Sequence, residues 1–108
     1  MAELQSESYE VITDATAAVT STELLLGTDN KTFQAKGTTT AGVGAATVII
    51  EVTNDTTWPW ITLGTITLTL GTAATSDGLA MLAGWKYVRA RLSAISGTGA
   101  AVSVAVGI

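Results

Sequence analysis

Apolar and polar residues alternate along most of the chain, and breaks rich in Gly, Asn, Asp and Ser interrupt the alternation at short intervals. A period of two marks half-buried β-strands, because successive side chains point to opposite faces of a sheet. The clearest run places Ala46, Val48, Ile50 and Val52 on one face and Thr47, Ile49, Glu51 and Thr53 on the other. A second puts Val88, Ala90, Leu92 and Ala94 inward and Tyr87, Arg89, Arg91 and Ser93 outward. A third sets Val102, Val104 and Val106 inward, against Ala101, Ser103 and Ala105. The pattern predicts strands over 9–20, 22–26, 31–37, 44–53, 57–63, 65–71, 84–95 and 100–107, with 37–44 and 96–99 as loops.

Between Trp60 and Leu70 the alternation changes phase at Gly64-Thr65. An inserted residue at a glycine reads as a β-bulge or a bend, and a bent strand can cross from one sheet to another. Only 73–83 holds a run of helix-compatible residues, and Gly78 and Gly84 fragment it, so that stretch reads as a loop with one turn at most. The expected fold is all-β: an antiparallel β-sandwich or jelly-roll of about eight short strands with little or no helix.

The 108 residues suit one domain. Residues 1–8 read as a flexible acidic arm and 9–108 as a single β-sandwich. Much of the 47% hydrophobic content is Ala and Val, and only six residues are aromatic (three Trp, two Tyr, one Phe), which predicts a thin core without a deep ligand pocket. Charged residues make up 13%, about half the usual share. A surface covered instead by Thr, Ser, Gly and Ala suits a subunit of a larger assembly, and the expected state is a homo-oligomer, a trimer first. The charge is also uneven. Residues 1–55 carry eight acids against Lys31 and Lys36, whereas 56–108 carry Asp77 against Lys86, Arg89 and Arg91.

The absence of His and Cys removes imidazole bases, thiolates, disulfides and the usual zinc ligands, so no catalytic residue, cofactor or metal is expected and the protein reads as non-enzymatic. Asp29-Asn30, Asn54-Asp55 and Asp77 are turn residues on this reading rather than calcium ligands. Gly97-Thr98-Gly99 leads into a strand and lacks a following Gly-Lys-Ser/Thr, so its glycines read as hairpin residues, not a phosphate cradle. A net charge of −4 argues against nucleic acid, and neither a membrane-spanning run nor a signal peptide is legible. What remains is aromatic and basic. Trp58, Trp60, Trp85 and Tyr87 read as core plugs, an end cover or an interface, with a sugar-stacking platform as the alternative. Arg89 and Arg91, on the same strand face as Tyr87, could clamp carboxylates across an interface. Together Trp58, Trp60, Trp85, Tyr87, Arg89 and Arg91 form the candidate interface.

The stretch from Gly42 to Val52, the following Asn54-Asp55 and Trp58, the segment Trp60 to Leu68 and the ending Trp85 to Ala100 resemble small structural proteins of tailed bacteriophages. The resemblance covers residues 31–107 and implies a capsid decoration (cement) protein. Such proteins are β-sandwich or jelly-roll subunits, often trimeric, that are assembled in the host cytoplasm and bind the outer surface of the capsid. The partner implied is the major capsid protein. A tail- or fibre-associated module that contacts the host is the alternative within the same class.

Overall fold

The structure is a computed structural model that describes residues 8–21, 24–25, 31–81 and 85–107. Its strands are β1 (Ser8–Ala15), β2 (Val19–Thr20), β3 (Leu24–Leu25), β4 (Lys31–Thr38), β5 (Ala41–Thr53), β6 (Ile61–Leu70), β7 (Thr75–Met81), β8 (Tyr87–Thr98) and β9 (Ala101–Gly107). They form a four-stranded sheet in the order β1-β9-β4-β7 and a five-stranded sheet in the order β2-β8-β5-β6, with β3 also on β8. All pairings are antiparallel. The strands β2 and β3 are two pieces of one edge, and Ser21 between them exchanges hydrogen bonds with Ala90 through its N–H (2.8 Å) and hydroxyl (2.9 Å).

With β2 and β3 joined, the order is that of a jelly-roll: one long antiparallel ribbon folded over on itself. The ribbon pairs β1 with β9, β2 and β3 with β8, β4 with β7, and β5 with β6. Folding then adds the β4–β9 and β5–β8 ladders. The tip of the ribbon is the β5–β6 connection, residues 54–60.

At the opposite end the strands change sheets. Thr39-Thr40 carries β4 into β5, and Gly99-Ala100 carries β8 into β9. The two bends run side by side: Thr38 pairs with Ala101, Ala41 pairs with Thr98, and the Thr40 N–H donates to the Thr98 carbonyl at 2.9 Å. The β6–β7 crossing joins them, where the Thr39 N–H donates to the Gly71 carbonyl at 2.9 Å. Two glycines make the corner possible. A Cβ on Gly44 would strike the Ser96 carbonyl oxygen, and a Cβ on Gly97 would lie 2.9 Å from the Gly44 Cα, with φ at +116° besides. Only glycine lets two backbones approach so closely.

The inner faces carry the core. Ile12, Phe33, Ala35, Val102, Val104 and Val106 come from the four-stranded sheet. Ala46, Val48, Ile50, Val52, Ile66, Leu68, Leu70, Val88, Ala90 and Leu92 come from the other. Phe33 is the single aromatic in this set, so small side chains bring the sheets together into a slab of 44 × 41 × 17 Å.

Several expectations need correction. The run 9–20 is not one strand: β1 and β2 lie in different sheets, and 16–18 cross between them. The segments expected at 57–63 and 65–71 merge into a single strand, β6, while 57–60 belong to the connection before it. Its phase change is a bulge at Leu63, since Gly64 pairs with Ile50 while Thr62 pairs with Glu51. Much of 37–44 and 96–99 is strand, and Gly97 and Gly99 serve a turn between sheets rather than a hairpin. Residues 75–81, expected as loop, form the edge strand β7, which needs little apolar content because only one neighbour, β4, specifies it. Ala94 faces outward, because a bulge at Ser93 reverses the parity of β8 and turns Ile95 toward the core. The acidic arm falls outside the described residues except for Ser8, which begins β1, and so does the Asp29-Asn30 turn.

The corner sets the first prediction. Gly97→Ala combines an unfavourable φ with a backbone clash and should destabilise the domain by about 2–4 kcal/mol in urea unfolding. Gly42→Ala has a φ of +71° but open space around the new Cβ, and should cost about 1–2 kcal/mol. Equal effects would show that the Gly44–Gly97 approach does not hold the corner.

Candidate functional site

The tip of the ribbon carries Trp58, the most exposed aromatic among the described residues. β5 ends at Thr53 and the chain turns at once. The Thr53 hydroxyl donates to the Asp55 carbonyl at 2.8 Å and accepts the Asp55 N–H at 3.2 Å. Asp55 then closes the turn with its side chain, whose Oδ1 accepts both the Thr57 N–H (2.9 Å) and the Thr57 hydroxyl (2.7 Å). The Trp58 N–H donates to the Asp55 carbonyl at 2.9 Å. These local bonds are why an Asn-Asp-Thr-Thr stretch makes a defined turn here. The Thr57 N–H, then its hydroxyl, holds the Asp55 carboxyl below its ordinary pKa, and the charge of Lys86 adds a smaller push.

The turn presents Trp58, 66% exposed, with Pro59 beside it and Ile61, 49% exposed, beyond. Trp60 is half-buried and lies against the outer face of the five-stranded sheet, where the Arg89 guanidinium stacks on its ring at 4.2 Å. Arg89 is held in turn by Glu51, directly opposite it in the β5–β8 ladder, through an Nε–Oε1 bond of 2.9 Å. Arg91 reaches the same oxygen at 3.4 Å. Glu51 is only 7% exposed although it points away from the core, where the two arginines close on its Oε1. A carboxylate, two guanidiniums and an indole thus form one layered cluster that props the tip against the sheet.

The remaining candidates sit nearby. Tyr87 pairs with Thr53, and Lys86 places its ammonium 5.4 Å from the Tyr87 ring centre while its N–H donates to the Asn54 side chain at 3.1 Å. Trp85 is half-buried against the core cluster. The structure therefore brings all six sequence-identified residues to one end of the five-stranded sheet and divides their work. Trp58 is free to make contacts, Trp60 is a prop, Trp85 covers the core, and Arg89 and Arg91 hold a carboxylate of their own chain. Glu51, Asp55 and Ile61 were missed as members of the site. Glu51 was legible as an outward residue, but its partner depends on the β5–β8 register, which a single sequence does not carry.

No protein-family model matches the chain, and no curated protein matches its sequence. Among solved structures, the PBSX exported protein XepA is similar in fold, with a TM-score of 0.57 and 15% identity over 94% of this chain. The match covers 36% of XepA, so this chain spans about a third of that protein's length. At this identity the likeness shows the fold.

The cluster predicts a graded mutational series. Glu51→Ala leaves two guanidiniums without their carboxylate and should cost about 2–3 kcal/mol in chemical unfolding. Arg91→Ala, at the longer distance and on a side chain 38% exposed, should cost about 0–1 kcal/mol. The reverse order would show that the ion pair does not prop the tip. The Asp55 turn predicts a pH response. A folded-state pKa below the ordinary value means that the turn gains from ionisation above the ordinary pKa and loses that gain as pH falls through the folded one. The Thr57 amide resonance should therefore titrate with a midpoint below 3.8, and Asp55→Asn should remove the step. A midpoint at or above 3.8 would contradict the assigned bonds.

Proposed function

We propose that this chain is a non-enzymatic structural protein of a tailed-phage virion, a decoration (cement) protein that binds the outer surface of the capsid and stabilises the shell. The observation that carries the reading is the ribbon tip: an exposed Trp58-Pro59 and Ile61 held on a braced base. Rigid aromatic anchors on a preorganised mount are what protein interfaces use as hot spots. The jelly-roll adds support at the level of fold, since it recurs in capsid and lectin domains, as does likeness to a phage-related protein. Neither names the partner. On this reading the partner is the major capsid protein, and a homo-oligomer attached at several points gains avidity from weak single contacts. A subunit that binds the assembled lattice alone also stabilises it by mass action.

The sugar-binding alternative draws on the same tryptophans. Against it, Trp60 has Arg89 stacked on its ring, so Trp58 and Trp60 do not form a paired open platform.

Purified particles from cells carrying the gene test the reading. Mass spectrometry should find the chain in them at the copy number of a structural protein, and Trp58→Ala should lower its occupancy, consistent with a loss of about 2 kcal/mol or roughly 30-fold in affinity. Absence of the chain from particles would overturn the proposal. Unchanged occupancy of the variant would remove the tip as the docking site.

A further inference from the structure

Among the described residues the two sheets end in four edges, β1, β7, β2 with β3, and β6, and these are not equally protected. β1 is interrupted by register shifts on both sides of Ile12 and holds Asp14 at a φ of +43°. β2 and β3 are two-residue pieces. β7 turns Asp77 to its inner face, opposite the buried Ala35, and Asp77 Oδ1 accepts the Gly78 N–H at 2.8 Å. Broken strands, bulges and inward charges are the devices by which sheets avoid pairing with other chains. β6 differs: it has no charged residue from Ile61 to Leu70, and its single bulge lies near its start, at Leu63.

The edge of β6 is capped at one end. The Thr69 carbonyl accepts the Thr75 hydroxyl at 2.9 Å, so Thr69 turns its backbone away from β5. In an antiparallel ladder every second residue points the same way, so Thr67 and Thr65 also direct their N–H and C=O groups to the free edge. Among the described residues none of these groups has a partner across that edge. The open stretch runs from Gly64 to Leu68, with Ile66 at its midpoint.

We propose that this edge is an interaction surface for a second copy of the chain, with β6 pairing antiparallel to β6 about a twofold axis through Ile66. The strand is complementary to itself. With the axis at Ile66, Thr65 meets Thr67 of the other copy, and these are the residues whose backbone groups face outward. Threonine pairs are favourable across strands, and a neutral strand avoids the repulsion that any charge would meet from its twofold mate. The interrupted, short or charged edges offer no comparable partner. A twofold joint closes at two copies, so the unit is a dimer in place of the trimer expected from composition and family resemblance. The inference does not depend on what the ribbon tip docks against.

Sedimentation equilibrium tests it on the full chain. The wild type should approach twice the 11.0 kDa chain mass at high micromolar concentration. Thr65→Lys with Thr67→Lys, both exposed positions on the outer face, should remain folded by circular dichroism and sediment at 11.0 kDa. The matching Thr65→Glu with Thr67→Glu variant should do the same. An equimolar mixture of the two variants should regain the double mass, because opposite charges then face each other across the joint. A wild type that stays at 11.0 kDa or reaches three times that mass would overturn the proposal, as would a lysine variant that keeps the double mass or a mixture that stays monomeric.

Discussion

Glu51 meets Arg89 because β5 and β8 keep a continuous register from Val48–Leu92 to Thr53–Tyr87, in a ladder anchored at both ends. At the corner, the close approach of Gly44 and Gly97 and the Thr40–Thr98 bond fix where the two strands enter the sheet. At the tip, Asn54 accepts the Lys86 N–H and Thr53 lies opposite Tyr87. Between these points the inner faces bury Val48, Ile50 and Val52 with Val88, Ala90 and Leu92. A slip of one residue would turn one strand over, sending its inward side chains to solvent and bringing Glu51 or Arg89 into the core, which is why this part of the ladder has one stable register. The ion pair, the stacked Trp60 and the presentation of Trp58 all follow from it.

The thinness of the slab gives the same constraint a functional form. With Ala and Val filling much of the interior, each sheet contributes one layer of side chains, and polar residues on the outer faces must be satisfied locally. Ser103 is buried under the β1 bulge and exchanges bonds with Asp14, through the Asp14 N–H (2.9 Å) and the Asp14 carboxylate (3.3 Å). Among the described residues no buried side-chain nitrogen or oxygen lacks a hydrogen-bond partner. A domain built this way has little interior to reshape around a small ligand. It offers surfaces instead: a stiff tip, flat faces and sheet edges.

The sheet content and the inward faces of β5 and β9 were legible because a period of two reports burial directly. The bulge at Leu63 was legible as a phase change, and the shared outward face of Tyr87, Arg89 and Arg91 could be read from strand parity, whereas the meeting of Trp60 with Arg89 depends on the β5–β8 pairing. What escaped was the set of contacts made between distant segments. The crossings at Thr39-Thr40 and Gly99-Ala100 look like hairpin chemistry in sequence, because Gly and Thr suit a turn within a sheet as well as one between sheets. The edge strand β7 carries Asp77 and Gly78, residues that mark loops elsewhere. Arg89 and Arg91 read as awaiting a carboxylate from outside, whereas the register supplies Glu51 from within.

In the proposed function the ribbon tip, braced by Glu51, Arg89 and Trp60, docks against a capsid lattice. A cryo-EM map of the decorated particle tests this most directly. It should show residues 54–61 at the capsid surface, with the Trp58 side chain enclosed by capsid protein and the corner at Gly44 and Gly97 facing away. A map with the tip in solvent and another face of the slab on the shell would contradict it.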